Sequence, residues 1–192
     1  MSWRGSLNLD YRRDPHSSVP RTVVHDRHDG PLRVLASLYP EARVVCHNVL
    51  VHPPGGIVGG DQLAVETRLA EGAHALVTTA GATRYYRSTG APAVQTLSAT
   101  LAANTRLEWL PLETIAYSGC IGENRMRFTL APGAEMIGWD VLALGLPTSG
   151  SPSSAAHSCR ASSCPAAGSS VAWSRPATRA CSIHRWAGPA TA

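Results

Sequence analysis

Lysine is absent from this chain of 192 residues, so all 17 of its basic side chains are arginine. This absence excludes mechanisms that need an amine, such as a P-loop phosphate lysine, a Schiff base or a pyridoxal anchor. The first six residues contain no apolar run typical of a secretory signal. No stretch approaches the roughly eighteen uncharged apolar residues that a membrane-spanning helix needs. We therefore expect a cytoplasmic protein with no membrane partner.

Charge is unevenly distributed along the chain. Up to Gly150 there are 13 arginines and 13 acidic residues, whereas the last 42 residues contain 4 arginines and no acid. The formal net charge of +4 therefore belongs entirely to the C-terminal segment. Residues 1–150 carry no net charge and therefore offer no basic surface to attract nucleic acid. We expect no nucleic-acid partner.

The composition changes abruptly after residue 150, which predicts a β domain over 1–150 and a separate tail over 151–192. The tail holds 10 Ser, 11 Ala and no Leu, although the first 150 residues contain 18 Leu. So few large apolar side chains cannot offset the entropy of ordering the chain. One interpretation is a natural low-complexity tail. The other is a reading-frame error, because residues 151–165 read two nucleotides later can spell PFERGAFVQSIELP, a strand-like alternation.

We favour the second interpretation and predict that the tail is out of frame and disordered, so that the C-terminal part of the β domain is missing or replaced. The nucleotide sequence around codon 150 tests this prediction. A stop codon met immediately in the shifted frame would contradict it.

Alternation of apolar and polar residues dominates the body and predicts a mainly β fold. No window shows a helical stripe, and 14 prolines and 17 glycines suit a chain with many turns. The clearest alternating runs contain Leu7, Leu9 and Tyr11, then Leu63, Val65 and Leu69, then Leu97 and Leu101, then Met126, Phe128 and Leu130.

A short pattern that begins at Leu69 recurs at Leu101 and at Leu130, with offsets of 32 and 29 residues. The fourth position of each copy is a residue type that adopts positive φ at low cost, which predicts a corner between two strands. These corner residues are Gly72, Asn104 and Gly133. Units of about 30 residues are typical of stacked, β-helix-like sheets, although hairpins in a sandwich give the same spacing.

Five sequence blocks together resemble the family of urease accessory proteins called UreD or UreH, over roughly residues 3–150. Their order and spacing are more specific than any single glycine-rich loop. The blocks are GPLR at 30–33, LYPE at 38–41, HPPGGIVGGD at 52–61, TTAGATRYYRS at 78–88, and LEWLP with ETI at 107–115.

The resemblance implies a non-enzymatic scaffold of β-helical character with a small helical part. With the helical partner UreF and the GTPase UreG, it would assist nickel insertion into the metallocentre of the urease apoprotein. The GTPase chemistry belongs to the partner, which agrees with the missing lysine. The resemblance implies no permanently bound cofactor, only transient nickel(II). The alternatives are a truncated, non-functional fragment of such a protein, or a small β-fold metal-dependent hydrolase.

Nickel(II) that moves between sites is best held by imidazole and oxygen ligands that exchange readily. The candidates for a nickel passage are Asp61, Thr78, Thr79, His47 and His52. The two histidines are five residues apart and face opposite sides of a regular strand, so they cannot chelate one ion. Asp61 has an alternative role as a cap for the amides of its glycine-rich turn.

A partner surface is predicted at Arg84, Tyr85, Tyr86 and Arg87, because aromatic residues and arginine are enriched at interfaces. Ordinary cross-strand packing of the two tyrosines is the alternative. No catalytic residue is predicted.

Overall fold

A computed structural model of the chain describes residues 2–41, 43–145 and 157–163, and every regular element in these ranges is a β-strand. The strands, in chain order, are β1 (Arg4–Arg13), β2 (Thr22–Asp29), β3 (Arg33–Val34), β4 (Cys46–Val51), β5 (Gln62–Leu69), β6 (His74–Thr79), β7 (Thr83–Tyr85), β8 (Ala93–Leu101), β9 (Arg106–Leu110), β10 (Thr114–Ala116), β11 (Ile121–Leu130), β12 (Glu135–Gly138), β13 (Leu142–Leu144) and β14 (His157–Ser163).

These strands form three stacked sheets. Sheet A has the order β14-β11-β8-β5-β1-β2, sheet B the order β12-β9-β6-β4-β3, and sheet C the order β13-β10-β7. The chain visits sheets A, B and C in turn with β5–β7, again with β8–β10 and again with β11–β13, and each strand pairs in parallel with its counterpart in the next coil. The predicted β-helix-like scaffold is confirmed.

The corners between sheets A and B occur where the repeated pattern predicts them. Gly72, Asn104 and Gly133 have φ values of 72°, 56° and 75°. Each corner joins strands of two different sheets, so the hairpin alternative is wrong at these positions. The left-handed backbone at these residues turns the chain from sheet A toward sheet B.

Alternation along each strand places one set of side chains in a common core. On sheet A the inward residues include Leu7, Leu9 and Leu101, and on sheet B they include Val77 and Leu107, all of them fully buried. Because the side-chain period of a strand is two, the intervening residues face outward on both sheets.

The first coil is less regular than the others. β2 and β3 run antiparallel to β1 and β4, and the isolated bridge between Ile57 and Tyr85 extends sheet C to this coil. No helix in the described ranges is long and apolar enough to cross a membrane.

Only part of the predicted tail is described by the structure. Residues 157–163 form β14, which pairs in parallel with β11 at the edge of sheet A. The rest of the segment 151–192 lies outside the described residues. The tail's reading frame and its disorder therefore stay predictions.

Candidate functional site

A cavity of about 270 Å³ lies between the sheets, beside the proline- and glycine-rich loop that follows β4. Its wall includes apolar core residues such as Leu50 and Leu97. Polar side chains from all three sheets and from that loop interrupt the apolar wall. They are His52, Thr79, Thr83, Arg84, Gln95, Thr96, Thr114, Asn124 and Asp140.

Three buried polar atoms on this wall have no hydrogen-bond partner among the described residues: His52 Nε2, Trp109 Nε1 and Asn124 Oδ1. Trp109 and Asn124 are only 4% and 5% exposed. A buried polar atom left unsatisfied costs about 1–3 kcal/mol. The wall therefore presents donors and acceptors that suit water or a small hydrated guest.

Two of these residues, Asn124 and His52, have surroundings that bear on their chemistry. Asn124 lies on the inward face of β11, and its Nδ2 donates to Asp140 Oδ2 at 3.1 Å. Burial lowers the pKa of His52 below its usual value, and the nearby negative charge of Asp61 opposes this shift. A neutral imidazole next to the cavity keeps one ring nitrogen available as an acceptor or ligand.

Asp61 is buried at 1% exposure and holds the glycine-rich loop in place. Its Oδ1 accepts a hydrogen bond from Trp3 N at 2.7 Å, and its Oδ2 accepts one from Val58 N at 3.0 Å. Both contacts match the capping role considered as an alternative for this residue. The residues that line the cavity do not include Asp61, and its part in a nickel passage stays a prediction.

The loop held by Asp61 packs too closely for larger residues at two glycines. A Cβ atom at Gly56 would lie 2.1 Å from the ring of Tyr86, and one at Gly59 would lie 2.2 Å from Ser88 Oγ. Glycine at these positions therefore lets the loop lie against the β7 region and close one side of the cavity.

The other predicted passage residues separate between two faces of sheet B. Thr79 lines the cavity, and its hydroxyl accepts a hydrogen bond from Leu112 N at 3.0 Å. Thr78 donates to Leu110 O at 2.7 Å. His47 lies on the outer side, 3.5 Å from Glu41 Oε1. Of the five candidates, only His52 and Thr79 line the same cavity.

The predicted partner surface also divides. Tyr85 is buried, and its hydroxyl donates to Glu123 O at 3.1 Å, so it takes no part in a surface. Tyr86 is 37% exposed and its ring lies 5.3 Å from that of Tyr117. Arg87 is exposed, whereas Arg84 is half-buried, lines the cavity and approaches Gly55 O at 3.5 Å.

Comparison with known proteins decides the family. The family model described as "UreD urease accessory protein" matches residues 4–188. The chain belongs to the UreD family. It is 66% identical over 150 residues to the urease accessory protein UreD of Leptothrix cholodnii and 64% identical over 150 residues to that of Paracidovorax citrulli. Each alignment covers 78% of this chain and 53% of the relative, so the chain spans about half the length of these UreD proteins.

UreD membership confirms the resemblance seen in the five sequence blocks. Within the described ranges, no group of three or more His, Cys, Asp or Glu residues could hold a metal ion.

Sequence reasoning missed Trp109, Asn124 and Asp140 as parts of the UreD cavity wall. Asn124 could have been found, because it is a polar residue at an inward position of an otherwise apolar alternation on β11.

Proposed function

We propose that this chain acts as a non-enzymatic scaffold in urease maturation, through whose interior cavity nickel(II) passes toward the urease apoprotein. It extends the family's general role, that of a urease accessory protein, to the geometry of this chain. The cavity is the observation that carries it. Its wall presents three polar atoms that have no hydrogen-bond partner within the described residues, namely His52 Nε2, Trp109 Nε1 and Asn124 Oδ1.

The chemistry of the wall suits passage better than storage. Nickel(II) binds imidazole, carboxylate and water, and tight retention needs several such ligands around one ion. In the described part of the chain, carboxylates and imidazoles do not gather into such a group. Asp140 is engaged by Asn124, and His52 offers a single neutral ring nitrogen. A hydrated ion would therefore exchange hydrogen bonds along the wall without being trapped.

GTP hydrolysis would be carried out by a partner protein. The chain has no lysine and therefore no Walker-type phosphate site. We propose the urease apoprotein, UreF and the GTPase UreG as partners. The β-solenoid would supply a rigid surface and a defined interior route.

The experiment uses a strain that expresses urease and its other accessory proteins but has no UreD-type protein of its own. The 192-residue chain is supplied in trans, and the nickel content and activity of purified urease are measured. Asn124→Leu removes the unpartnered acceptor together with the donor that contacts Asp140 Oδ2, and it keeps the branched shape of the side chain. We expect this variant to lower nickel per urease several-fold and to leave co-purification with the urease apoprotein unchanged.

Thr67→Val is the matched control, because Thr67 Oγ1 is also buried with no hydrogen-bond partner in the described part of the chain but does not line the cavity. We expect full nickel loading with this variant. Equal loading with Asn124→Leu and wild type would refute passage through the cavity. A wild-type chain that is soluble but never raises urease activity would instead support the alternative of a non-functional fragment.

A further inference from the structure

The last coil of the solenoid, β11–β13, leaves two strands with a free edge. β12 pairs with β9 and β13 pairs with β10, and within the described residues neither strand has a neighbour on its other side. Sheet A alone continues past this coil, because β14 pairs with β11. We call the exposed side of the last coil the open end.

The free edge of β12 presents unpaired backbone groups. The amides of Glu135 and Trp139 donate to carbonyls of the preceding coil. Successive residues of a strand point their backbone groups to alternate sides, so Met136 and Gly138 direct theirs to the free edge. Charged residues and proline usually protect an edge strand from pairing, yet β12 and β13 contain one charged residue, Glu135, and no proline.

Core-facing side chains are incompletely covered at the open end. Leu144 pairs in register with Ala116 of the preceding coil, but Leu144 is 41% exposed and Ala116 only 1%. Met136 is half-buried, whereas its counterpart Leu107 is fully buried. One further layer of chain would cover these side chains, as the last coil covers those of the coil before it.

The composition of residues 146–192 is poorly suited to that layer. The last coil, residues 121–144, contains ten large apolar residues of the types Val, Leu, Ile, Met, Phe and Trp, whereas residues 146–192 contain five. A segment with so few large apolar side chains gains too little from burial to offset the entropy of ordering it. The cover is therefore better supplied by another molecule.

The shape of the open end fits a second copy of the chain. Among the described strands, sheet A has six and sheet B has five, so β14 projects one strand beyond β12. A twofold axis perpendicular to the solenoid axis would set sheet A of one copy over sheet B of the other. β14 of each copy would then lie against the free edge of β12 in the other, and each projecting strand would fill the matching recess.

The area of the open end is large enough for a weak dimer. β11 has ten residues and is about 33 Å long, and two sheets about 10 Å apart with their outer side chains are about 20 Å wide. Two such ends would bury roughly 1,300 Å² in total, within the range of about 1,200–2,000 Å² for specific interfaces. We therefore expect a dissociation constant on the order of 10 μM.

We propose that two copies of this chain associate end to end through their open ends, with β14 of each copy against β12 of the other. The inference goes beyond the proposed function and does not rest on it. The cavity wall reaches the last coil at Asn124 and Asp140, so the second copy would stack over one end of the cavity.

The first test is sedimentation velocity of the full 192-residue chain between about 1 and about 100 μM, a range that brackets the expected dissociation constant. We expect a monomer–dimer equilibrium. Leu144→Arg should weaken the dimer at least about tenfold, because association would desolvate the added charge. Leu144→Met keeps an apolar side chain and should stay within about threefold of the wild type.

Leu35→Arg is the matched control. Leu35 is 52% exposed and follows β3, the strand at the opposite edge of sheet B. The same substitution there should leave the dissociation constant within about twofold of the wild type. Thermal unfolding of each variant checks that the fold is retained, and only variants that melt like the wild type are compared.

The second test needs no variant. Hydrogen exchange of the wild-type chain is followed by mass spectrometry with fragmentation to single residues. At about 100 μM the amides of Met136 and Gly138 should exchange at least about threefold more slowly than at about 1 μM, because dimer formation pairs the free edge. Amides of β2 and β3, at the opposite end, should exchange equally at both concentrations.

Several results would overturn the end-to-end dimer. A monomer with fast exchange at Met136 and Gly138 would show that the open end stays free, and a monomer with slow exchange would assign its cover to the same chain. Species larger than a dimer would contradict the twofold arrangement. No effect of Leu144→Arg, or equal weakening by Leu35→Arg, would place the contact elsewhere. Nickel loading of urease is a separate measurement, so the proposed function stands or fails independently of these results.

Discussion

Replacing Asp61 with alanine should destabilise the chain more than any other single change of a polar side chain in the glycine-rich loop. The substitution removes two hydrogen bonds, from Trp3 N at 2.7 Å and from Val58 N at 3.0 Å, to a carboxylate that is 1% exposed. A hydrogen bond to a charged group contributes about 1.5–3 kcal/mol. Both contacts are partly buried, so water can replace some of the loss, and we expect a decrease of about 3 kcal/mol in the free energy of unfolding.

Asp61→Asn separates the loss of the acceptors from the loss of volume. The amide keeps one oxygen acceptor but turns a donor toward the second backbone N–H, so we expect about half the effect of alanine. For a chain of this size, 1 kcal/mol shifts the melting temperature by about 2–4 °C, so Asp61→Ala should melt about 6–12 °C lower.

The assay for Asp61 is urea unfolding followed by tryptophan fluorescence, with stability compared at constant slope. Asp14→Asn is the control, because Asp14 is a half-buried carboxylate that accepts one backbone amide, that of His16 at 3.0 Å, and forms a long pair with Arg21 at 3.9 Å. We expect this control to lose less than about 1 kcal/mol. A loss below about 1 kcal/mol for Asp61→Ala would refute the interpretation of Asp61 as the clamp of the loop.

Three further predictions concern the loop, the core and pH. Gly56→Ala should cost about 1–3 kcal/mol, because its Cβ would lie 2.1 Å from the Tyr86 ring, whereas Gly81→Ala meets no atom within 4 Å and should be nearly neutral in the same urea titration. Leu107→Ala should cost about 2–5 kcal/mol, because a fully buried side chain leaves a cavity, and calorimetry would show a matching loss of melting temperature. Burial lowers the pKa of His52 in the folded chain, so the unfolded chain binds more protons and stability should fall as the pH decreases through the ordinary histidine range. His52→Gln should reduce this fall, and an unchanged pH profile would count against the shift.

The repeated corners were predictable from the sequence because their cause is local. Gly72, Asn104 and Gly133 tolerate a positive φ, and each adopts one. The buried faces were predictable for a similar reason, since a strand's side chains alternate whatever the strand pairs with. Leu7 and Leu9 are therefore buried where the alternation places them.

The composition of the cavity wall was not predictable in the same way. Thr78 and Thr79 are adjacent and chemically alike, yet only Thr79 lines the cavity. The inward or outward choice depends on where a strand ends and where the chain turns toward the next sheet. Tyr85 and Tyr86 are a second pair of adjacent, identical residues whose orientation the sequence did not reveal, because Tyr85 is buried and Tyr86 is exposed.

The sequence by itself determined the mainly β class, the corner positions, the break in composition after Gly150 and the resemblance to the family, because each depends on local periodicity or on residue identity along the chain. Only the tertiary structure decided that Asp61 clamps its loop, that Trp109 and Asn124 meet at one cavity, and that Leu76, Leu110 and Ile137 share one outer face. These residues come from different coils, and the parallel stacking of successive coils brings side chains about 30 residues apart into contact. Register between coils is a property of the folded chain, and it sets the chemistry of the cavity wall.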